Sequence, residues 1–469
     1  MTDCISCRKR ENSTKSPIKN VISVAKVIQL LYIKGMEREF LKDLLTWKNS
    51  KRRKPLLLTG VRQCGKTHTL KEFGAKYFDN VCYINFESSD KFAAIFDYDF
   101  DVERIVRELE LLTQSKIEAG KTLLIFDEIQ EAPRAITSLK YFCENMRELH
   151  VASAGSLLGV ALRRENISFP VGKVNRMQMF PMNFREFLTA CGKERYIELF
   201  ADWPVDRTIP EVYAKPMERL LKEYLVVGGM PEAVKEYATS RNFETVGEIQ
   251  DEILADYADD FSKHAPVNEI EKIRMIWDSV PKQLAKENNK FMFSHVKNGK
   301  RAHELEAALQ WLKNAGLVHL VELVQNAEVP LSANSDATNF KVYLSDIGLL
   351  GRRLSLGYKD ILMDDTPNTN KGAVTENYVL NELLCMQKSP YFWRSGNSAE
   401  LDFLFENDGK VVPVEVKAAT NTQAKSYKQF CKKFAPAKGY KLSLKNLAVN
   451  DCEGCSTVSL PLYLLWTIR

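Results

Sequence analysis

The spacing of apolar and polar positions changes several times along the chain. From Met36 onward, Phe40, Leu41, Leu44, Leu45 and Trp47 fall near one face of a helix. The apolar run Pro55-Leu56-Leu57-Leu58-Thr59 then reads as a strand, followed by a helix to about residue 77. Val81-Cys82-Tyr83-Ile84-Asn85-Phe86 is a second, continuously apolar strand of the buried kind. Val102, Ile105, Val106, Leu109 and Leu112 recur at helical spacing within 101–119. A third strand, Thr122-Leu123-Leu124-Ile125-Phe126-Asp127, precedes a helix to about residue 147, and residues 149–156 read as a further core strand. From 180 to about 264 the pattern is helical, with a turn at Gly228-Gly229-Met230-Pro231. Residues 269–352 read as helix (269–286, bent or split by Pro281), helix (302–314), then strands at 317–324 and 340–344. After a polar, turn-rich stretch at 360–370 come a helix (372–386), strands at 391–394, 400–405 and 411–417, a helix (424–434) and a strand over 440–449. Asn407-Asp408-Gly409 marks the turn between the second and third of these strands.

Two places in this pattern carry chemistry. The first is Gly60-Val61-Arg62-Gln63-Cys64-Gly65-Lys66-Thr67, the P-loop spacing G-x-x-x-x-G-K-[ST] between a strand and a helix. Gly60 and Gly65 permit torsions that turn the backbone N–H groups of Arg62, Gln63 and Cys64 toward a phosphate. The helix opening at Lys66, Thr67 and His68 adds its N-terminal dipole. Lys66 is positioned for the β- and γ-phosphates of ATP, and the Thr67 hydroxyl for Mg²⁺. Asp127 and Glu128, at the end of an apolar strand, have the Walker B form. Asp127 would hold the Mg²⁺ shell and Glu128 would orient and deprotonate water. Ser153 or Ser156, ending the neighbouring strand, is placed to sense the γ-phosphate. Arg163, Arg164 and Arg176 are candidates for an arginine completing the site, supplied by a neighbouring subunit of a homo-oligomer.

The second place is near the C-terminus. Glu415 and Lys417 alternate on one strand and so share a face, and Asp402 can lie opposite on its hairpin partner. Two carboxylates offer oxygen ligands to one or two Mg²⁺, and a lysine can stabilise an attacked phosphate. Glu376 on the preceding helix is a further candidate ligand. Gln423 and Tyr427 have the Q-x-x-x-Y spacing seen in some nucleases.

Composition adds limits. The chain has 469 residues, enough for two to four domains, and 45% hydrophobic with 27% charged residues is ordinary for globular protein. A net charge of +5 over this length says little about an anionic partner. The ten cysteines are scattered, as reduced thiols are. The pairs Cys4/Cys7 and Cys452/Cys455 lie at opposite ends, and neither sits in a zinc knuckle. No apolar run reaches membrane-spanning length, since Lys26 interrupts the nearest one at 21–33, so no membrane partner and a cytoplasmic location are expected. The first 35 residues read equally as an extension before a start at Met36 or as a genuine N-terminal arm.

Together the motifs resemble a family of bacterial and archaeal AAA-like ATPases, usually named only ATP-binding proteins, with a C-terminal domain of unknown function. The resemblance rests on Arg62 to Thr67, Phe126-Asp127-Glu128-Ile129-Gln130, Gly155-Ser156-Leu157-Leu158-Gly159, Phe180-Pro181-Met182-Asn183-Phe184-Arg185-Glu186-Phe187 and Gly228-Gly229-Met230-Pro231. Tyr343-Leu344-Ser345-Asp346-Ile347-Gly348-Leu349, Glu376-Asn377, Trp393-Arg394-Ser395, Glu400-Leu401-Asp402-Phe403 and Pro413-Val414-Glu415-Val416-Lys417 continue it. It implies an α/β multidomain protein. Residues 1–35, which lie outside the resemblance, would be a poorly ordered extension, 36–178 a P-loop parallel-sheet ATPase core of the AAA type, and 179–266, helical by its pattern, a lid. Residues 267–358 would be a winged-helix domain and 359–469 a restriction-endonuclease-like domain. Winged-helix modules often bind DNA through their second helix, but here its face mixes Arg301, His303 and Lys313 with Glu304 and Glu306.

Overall fold

A computed structural model of the chain describes residues 36–161, 169–286, 290–297, 302–363, 370–396, 399–418 and 425–468. In the first half, strands β1 (Leu56–Thr59), β2 (Asn80–Asn85), β3 (Thr122–Asp127), β4 (His150–Ala154) and β5 (Asn175–Gln178) form one sheet ordered β2-β3-β4-β1-β5. Every pairing in it is parallel. Helices cover both faces, which is why β3 and β4 are buried at every position and read as unbroken apolar runs. The sequence pattern does not announce β5. It is a short edge strand, Asn-Arg-Met-Gln, alternating half-buried and exposed. The predicted helix at 101–119 is shorter, Val102–Thr113, capped by the Asp101 side chain on the Glu103 and Arg104 amides.

The helical region comprises Phe184–Ala190, Glu194–Ala201, Glu211–Val227, Pro231–Ser240 and Phe243–His264. The first begins with a capping box, in which Asn183 accepts from the Glu186 amide while Glu186 accepts from the Asn183 amide.

A second, mixed sheet of eight strands fills the C-terminal half. Its members are β6 (Val318–Val324), β7 (Ser335–Leu344), β8 (Tyr391–Ser395), β9 (Ala399–Asn407), β10 (Lys410–Val416), β11 (Lys438–Ser443), β12 (Ala448–Cys452) and β13 (Cys455–Pro461). They are ordered β12-β13-β11-β10-β9-β8-β6-β7. Two differences from the sequence reading stand out. The stretch expected as one strand over 440–449 is the end of β11 and the start of β12, with β13 returning beside both. The β6/β7 hairpin, expected as a wing, is hydrogen-bonded into the same sheet as the C-terminal strands, because β6 pairs with β8 at Leu323–Phe392 and Val324–Trp393. An isolated two-stranded ribbon leaves backbone groups unpaired along both edges, and β8 relieves one of them. The sheet therefore crosses the boundary expected at 358/359.

One apolar cluster runs from Leu41 through the helical region to Ile468 and ties the two sheets together. Several quoted motifs serve this junction. Asp346 caps the helix Ile347–Arg353 and also accepts from the Gly229 amide at 2.6 Å. Asn377 is fully buried and pairs with both the amide and the carbonyl of Leu344. Among the described residues, no helix is long and apolar enough to cross a membrane.

Candidate nucleotide site and acidic cluster

The P-loop connects β1 to the helix Lys66–Tyr77 at the C-terminal edge of the first sheet, where open α/β sheets bind ligands. Gly65 sits at φ +96° as the N-cap of that helix, a conformation that favours glycine. At Gly60 a side chain would collide with the Met179 carbonyl. The Lys66 ammonium is buried and donates to the carbonyls of Gly60 and Val61, both at 2.9 Å.

Across the loop, the Thr67 hydroxyl donates to Asp127 Oδ2 at 2.8 Å, and the Tyr83 hydroxyl donates to the same oxygen at 2.8 Å. Burial and the Asp127 carboxylate push the Tyr83 phenol well above its ordinary range, so it remains a donor. A hydroxyl and a carboxylate held together in this way are hard oxygen ligands, and they fit Mg²⁺. Glu128 follows at φ +47°, a left-handed turn that redirects its side chain at the strand end. Its Oε2 accepts from Gln130 Nε2 at 2.6 Å and from the Ser156 hydroxyl at 3.3 Å. Ser153 is also buried, but it lies within β4.

Sequence reasoning missed the groups that hold the loop from outside. Arg38 is buried and donates to the Cys64 carbonyl and to the Phe180 carbonyl, each at 2.7 Å, and to Glu186 Oε1 at 3.0 Å. From the helix Phe243–His264, Asp260 pairs with Arg62, Asp256 accepts from Gln63 at 2.7 Å, and the Tyr257 hydroxyl donates to the Arg62 carbonyl at 3.0 Å. Burial raises Asp260, and Arg62 works against that rise. His68 is exposed and lies within 4.0 Å of Glu72. Arg176 is exposed on β5, its guanidinium 4.1 Å from the Phe169 ring. Arg163 and Arg164 lie outside the described residues, as do Arg301, Gln423, Cys4 and Cys7.

Asp402, Glu415 and Lys417 are brought together at the β9/β10 edge. Lys417 Nζ lies 2.7 Å from Glu415 Oε1, and Asp402 Oδ2 accepts from the Val416 amide at 2.7 Å. Glu415 Oε2 is buried without a hydrogen-bond partner among the described residues. Burial raises both carboxyls, and the nearby Glu415 and Glu376 charges raise Asp402 further. Burial works to lower Lys417, but Asp402 and Glu415 outweigh it. Glu376 comes from the helix Lys371–Cys385, where its Oε2 accepts from the Tyr343 hydroxyl at 3.1 Å. The unpartnered oxygen of Glu415 fits a cation. Among the described residues, however, no three carboxylates, histidines or cysteines are arranged as a metal-ligand set. The cluster also contains Lys341 and Glu400, which the strand pattern had not singled out.

Comparison with known proteins agrees with the first half of this geometry. Residues 52–188 match a family model described as an AAA domain. Residues 218–360 and 371–463 match two models described as domains of unknown function (DUF8612 and DUF4143). No curated protein matches the chain. Among solved structures, the Walker-type ATPase PABY2304 of Pyrococcus abyssi shares 15% identity over 68% of this chain and 96% of its own, at a TM-score of 0.42. The Aeropyrum pernix ORC1 protein, solved in complex with DNA, shares 14% over 68% and 90%, at 0.27. Cdc6p of Pyrobaculum aerophilum shares 14% over 72% and 95%, at 0.25. Overlaps this partial carry no argument. The AAA match, the parallel sheet and the P-loop geometry support an AAA-type P-loop ATPase.

Proposed function

We propose that the chain binds and hydrolyses ATP with Mg²⁺, and that its nucleotide cycle gates a nucleic-acid-directed, nuclease-like C-terminal unit. The observation that carries the first part is the convergence of Thr67, Asp127, Glu128 and Ser156 beside the P-loop. Lys66 and the loop amides bind the phosphates. Mg²⁺, held by Thr67 and Asp127, neutralises charge on the transferred phosphoryl group when bound. Gln130 and Ser156 fix one oxygen of Glu128, and the other takes the proton of the attacking water. Arg176 is the described candidate for an arginine supplied across a subunit contact.

The gating part is supported by one helix. Lys371–Cys385 carries Glu376 to the acidic cluster, and one turn and a half later carries Glu382 to the Phe184 amide at 2.7 Å. Phe184 belongs to the capping segment whose Glu186 grips Arg38 and, through it, the P-loop. Measured ATP turnover, with Mg²⁺- or Mn²⁺-dependent cleavage of plasmid and single-stranded DNA, tests the proposal. Cleavage should be lost in Glu415→Ala and Lys417→Ala. Absence of cleavage by the wild type under every metal and ATP condition favours the second reading. In that reading the ATPase is regulatory, or a signalling switch, and the nuclease-like unit is an inactive DNA- or protein-binding module. The lysines already engaged with the cluster's carboxylates favour this alternative.

A further inference from the structure

Between Glu415 and Asp451 the chain carries eight lysines and no aspartate or glutamate, more positive charge than the net +5 of the whole. The fold gathers them around one helix, Lys425–Phe434. Lys425, Lys428, Lys432 and Lys433 are exposed on it, while Tyr427, Phe430 and Cys431 form its buried side. Other helices of the chain pair a lysine with an acid one turn away, as Lys215 with Glu211 at 2.7 Å and Lys222 with Glu218 at 2.9 Å. This helix contains no acidic residue, and Lys425 and Lys428 stand in its first turn, where the helix dipole disfavours positive charge. From outside it, Glu453 reaches Lys428 at 3.1 Å. The helix begins against the acidic cluster, where the Glu400 amide donates to Ser426 Oγ at 3.3 Å. Lys441 continues the row of charge: it stands in register with Glu415 on β11, and its Nζ lies 4.8 Å from the Tyr427 ring. Lys417, 2.7 Å from Glu415, ends it.

We infer that the exposed face of the helix Lys425–Phe434, continued by Lys441 and Lys417, binds the phosphate backbone of duplex DNA without regard to sequence. The inference rests on reading the C-terminal unit as nucleic-acid-directed. Lysines are point charges that suit phosphates rather than base edges. Each phosphate they neutralise releases a condensed counterion, so charges that only repel one another in the free chain become favourable on DNA. A single strand calls for exposed rings on which its bases stack. Here Tyr427 and Phe430 are buried and Phe434 is half-buried, so the helix offers charge without a stacking platform.

Fluorescence anisotropy of labelled DNA with the full chain, in EDTA so that nothing is cleaved, tests this independently of any activity. The wild type should bind two short duplexes of unrelated sequence equally, and more tightly than a single strand or polyglutamate. The double variant Lys428→Gln/Lys432→Gln should bind at least about tenfold more weakly and should lower the slope of log affinity against log salt by about two. Lys140→Gln/Lys193→Gln, which removes two exposed lysines of the first half, should change neither. ATP with Mg²⁺ should raise the melting temperature of both variants as it does that of the wild type, which separates a lost surface from a lost fold. Duplex binding indifferent to Lys428→Gln/Lys432→Gln, an equal loss in Lys140→Gln/Lys193→Gln, or a preference for the single strand or polyglutamate overturns the assignment to this helix. No nucleic acid bound by the wild type even at low salt overturns the nucleic-acid-directed reading as well.

Discussion

Replacing Glu128 by Gln should separate hydrolysis from binding. The substitution keeps the shape of the side chain and exchanges one oxygen for an amide nitrogen. In the structure Glu128 Oε2 faces three donors, Gln130 Nε2 at 2.6 Å, the Ser156 hydroxyl at 3.3 Å and the Ser156 amide at 3.5 Å. An amide nitrogen turned toward them would set donor against donor, so the remaining oxygen takes that place and the nitrogen faces the water. A nitrogen there cannot accept a proton. A positioned general base is worth about 10²–10⁴ in rate, or about 3–5 kcal/mol of barrier. Nothing in the phosphate cradle changes, because residues 60–67 are held by Arg38, Tyr257 and Asp260 rather than by Glu128. Phosphate release at saturating ATP should therefore fall at least about 100-fold. Titration with a fluorescent ATP analogue should give an unchanged Kd. Hydrolysis at the wild-type rate would refute the assignment of Glu128 as base. Binding lost together with hydrolysis would refute the separation of base from cradle.

Three further outcomes follow from the geometry. Lys66→Ala should abolish nucleotide binding: at 100 times its Kd, ATP should stabilise the wild type by about 2.7 kcal/mol, read as a rise in melting temperature, and should leave the variant unmoved. Burial raises the Glu382 carboxyl from 4.5 to about 8, against the Phe184 amide and Arg185, which act to lower it. The folded chain thus keeps a proton that the unfolded chain releases, and this stabilisation is complete below the unfolded value and lost as pH rises through about 8. Glu382→Gln, whose amide oxygen can still accept from Phe184, should remove that slope in urea melts run on either side of the transition, and parallel profiles would contradict the assignment. Gly228 sits at φ +77°, and a Cβ there would collide with Asp346 and the Gly348 amide. Gly228→Ala should therefore cost about 2–5 kcal/mol by combining backbone strain with overpacking, whereas an unchanged denaturation midpoint would show that the junction can yield.

Much of the candidate nucleotide site's local geometry was legible because its residues are close in sequence. Gly60, Gly65, Lys66 and Thr67 lie within one turn of chain, and β3 runs from Thr122 to Asp127 as its apolar pattern predicts. The turn after β9 was equally plain, since Asp408 and Gly409 both adopt positive φ. The supports were not legible. Arg38 meets Glu186 from 148 positions away, and Asp260 meets Arg62 from 198. A lone arginine before an amphipathic helix carries no mark of such a partner. Strand β5 was missed because an edge strand needs no apolar run, and β6 joined β8 through a pairing that no local pattern encodes.

The sequence by itself determined the glycine-bounded loop between β1 and the helix opening at Lys66, the placing of Asp127 and Glu128 at the end of β3, and the strand–helix alternation that makes a parallel sheet, because contiguous residues set their own backbone conformation and burial pattern. It also placed Asp402 and Glu415 on neighbouring strands, with Lys417 just past the end of β10, since a tight hairpin sets its own register. Only the tertiary structure decided the charge balance around those carboxylates. Whether a half-buried carboxylate meets a lysine depends on which distant strand is brought beside it, and here that strand is β7, whose buried Lys341 reaches Glu400 and Glu376.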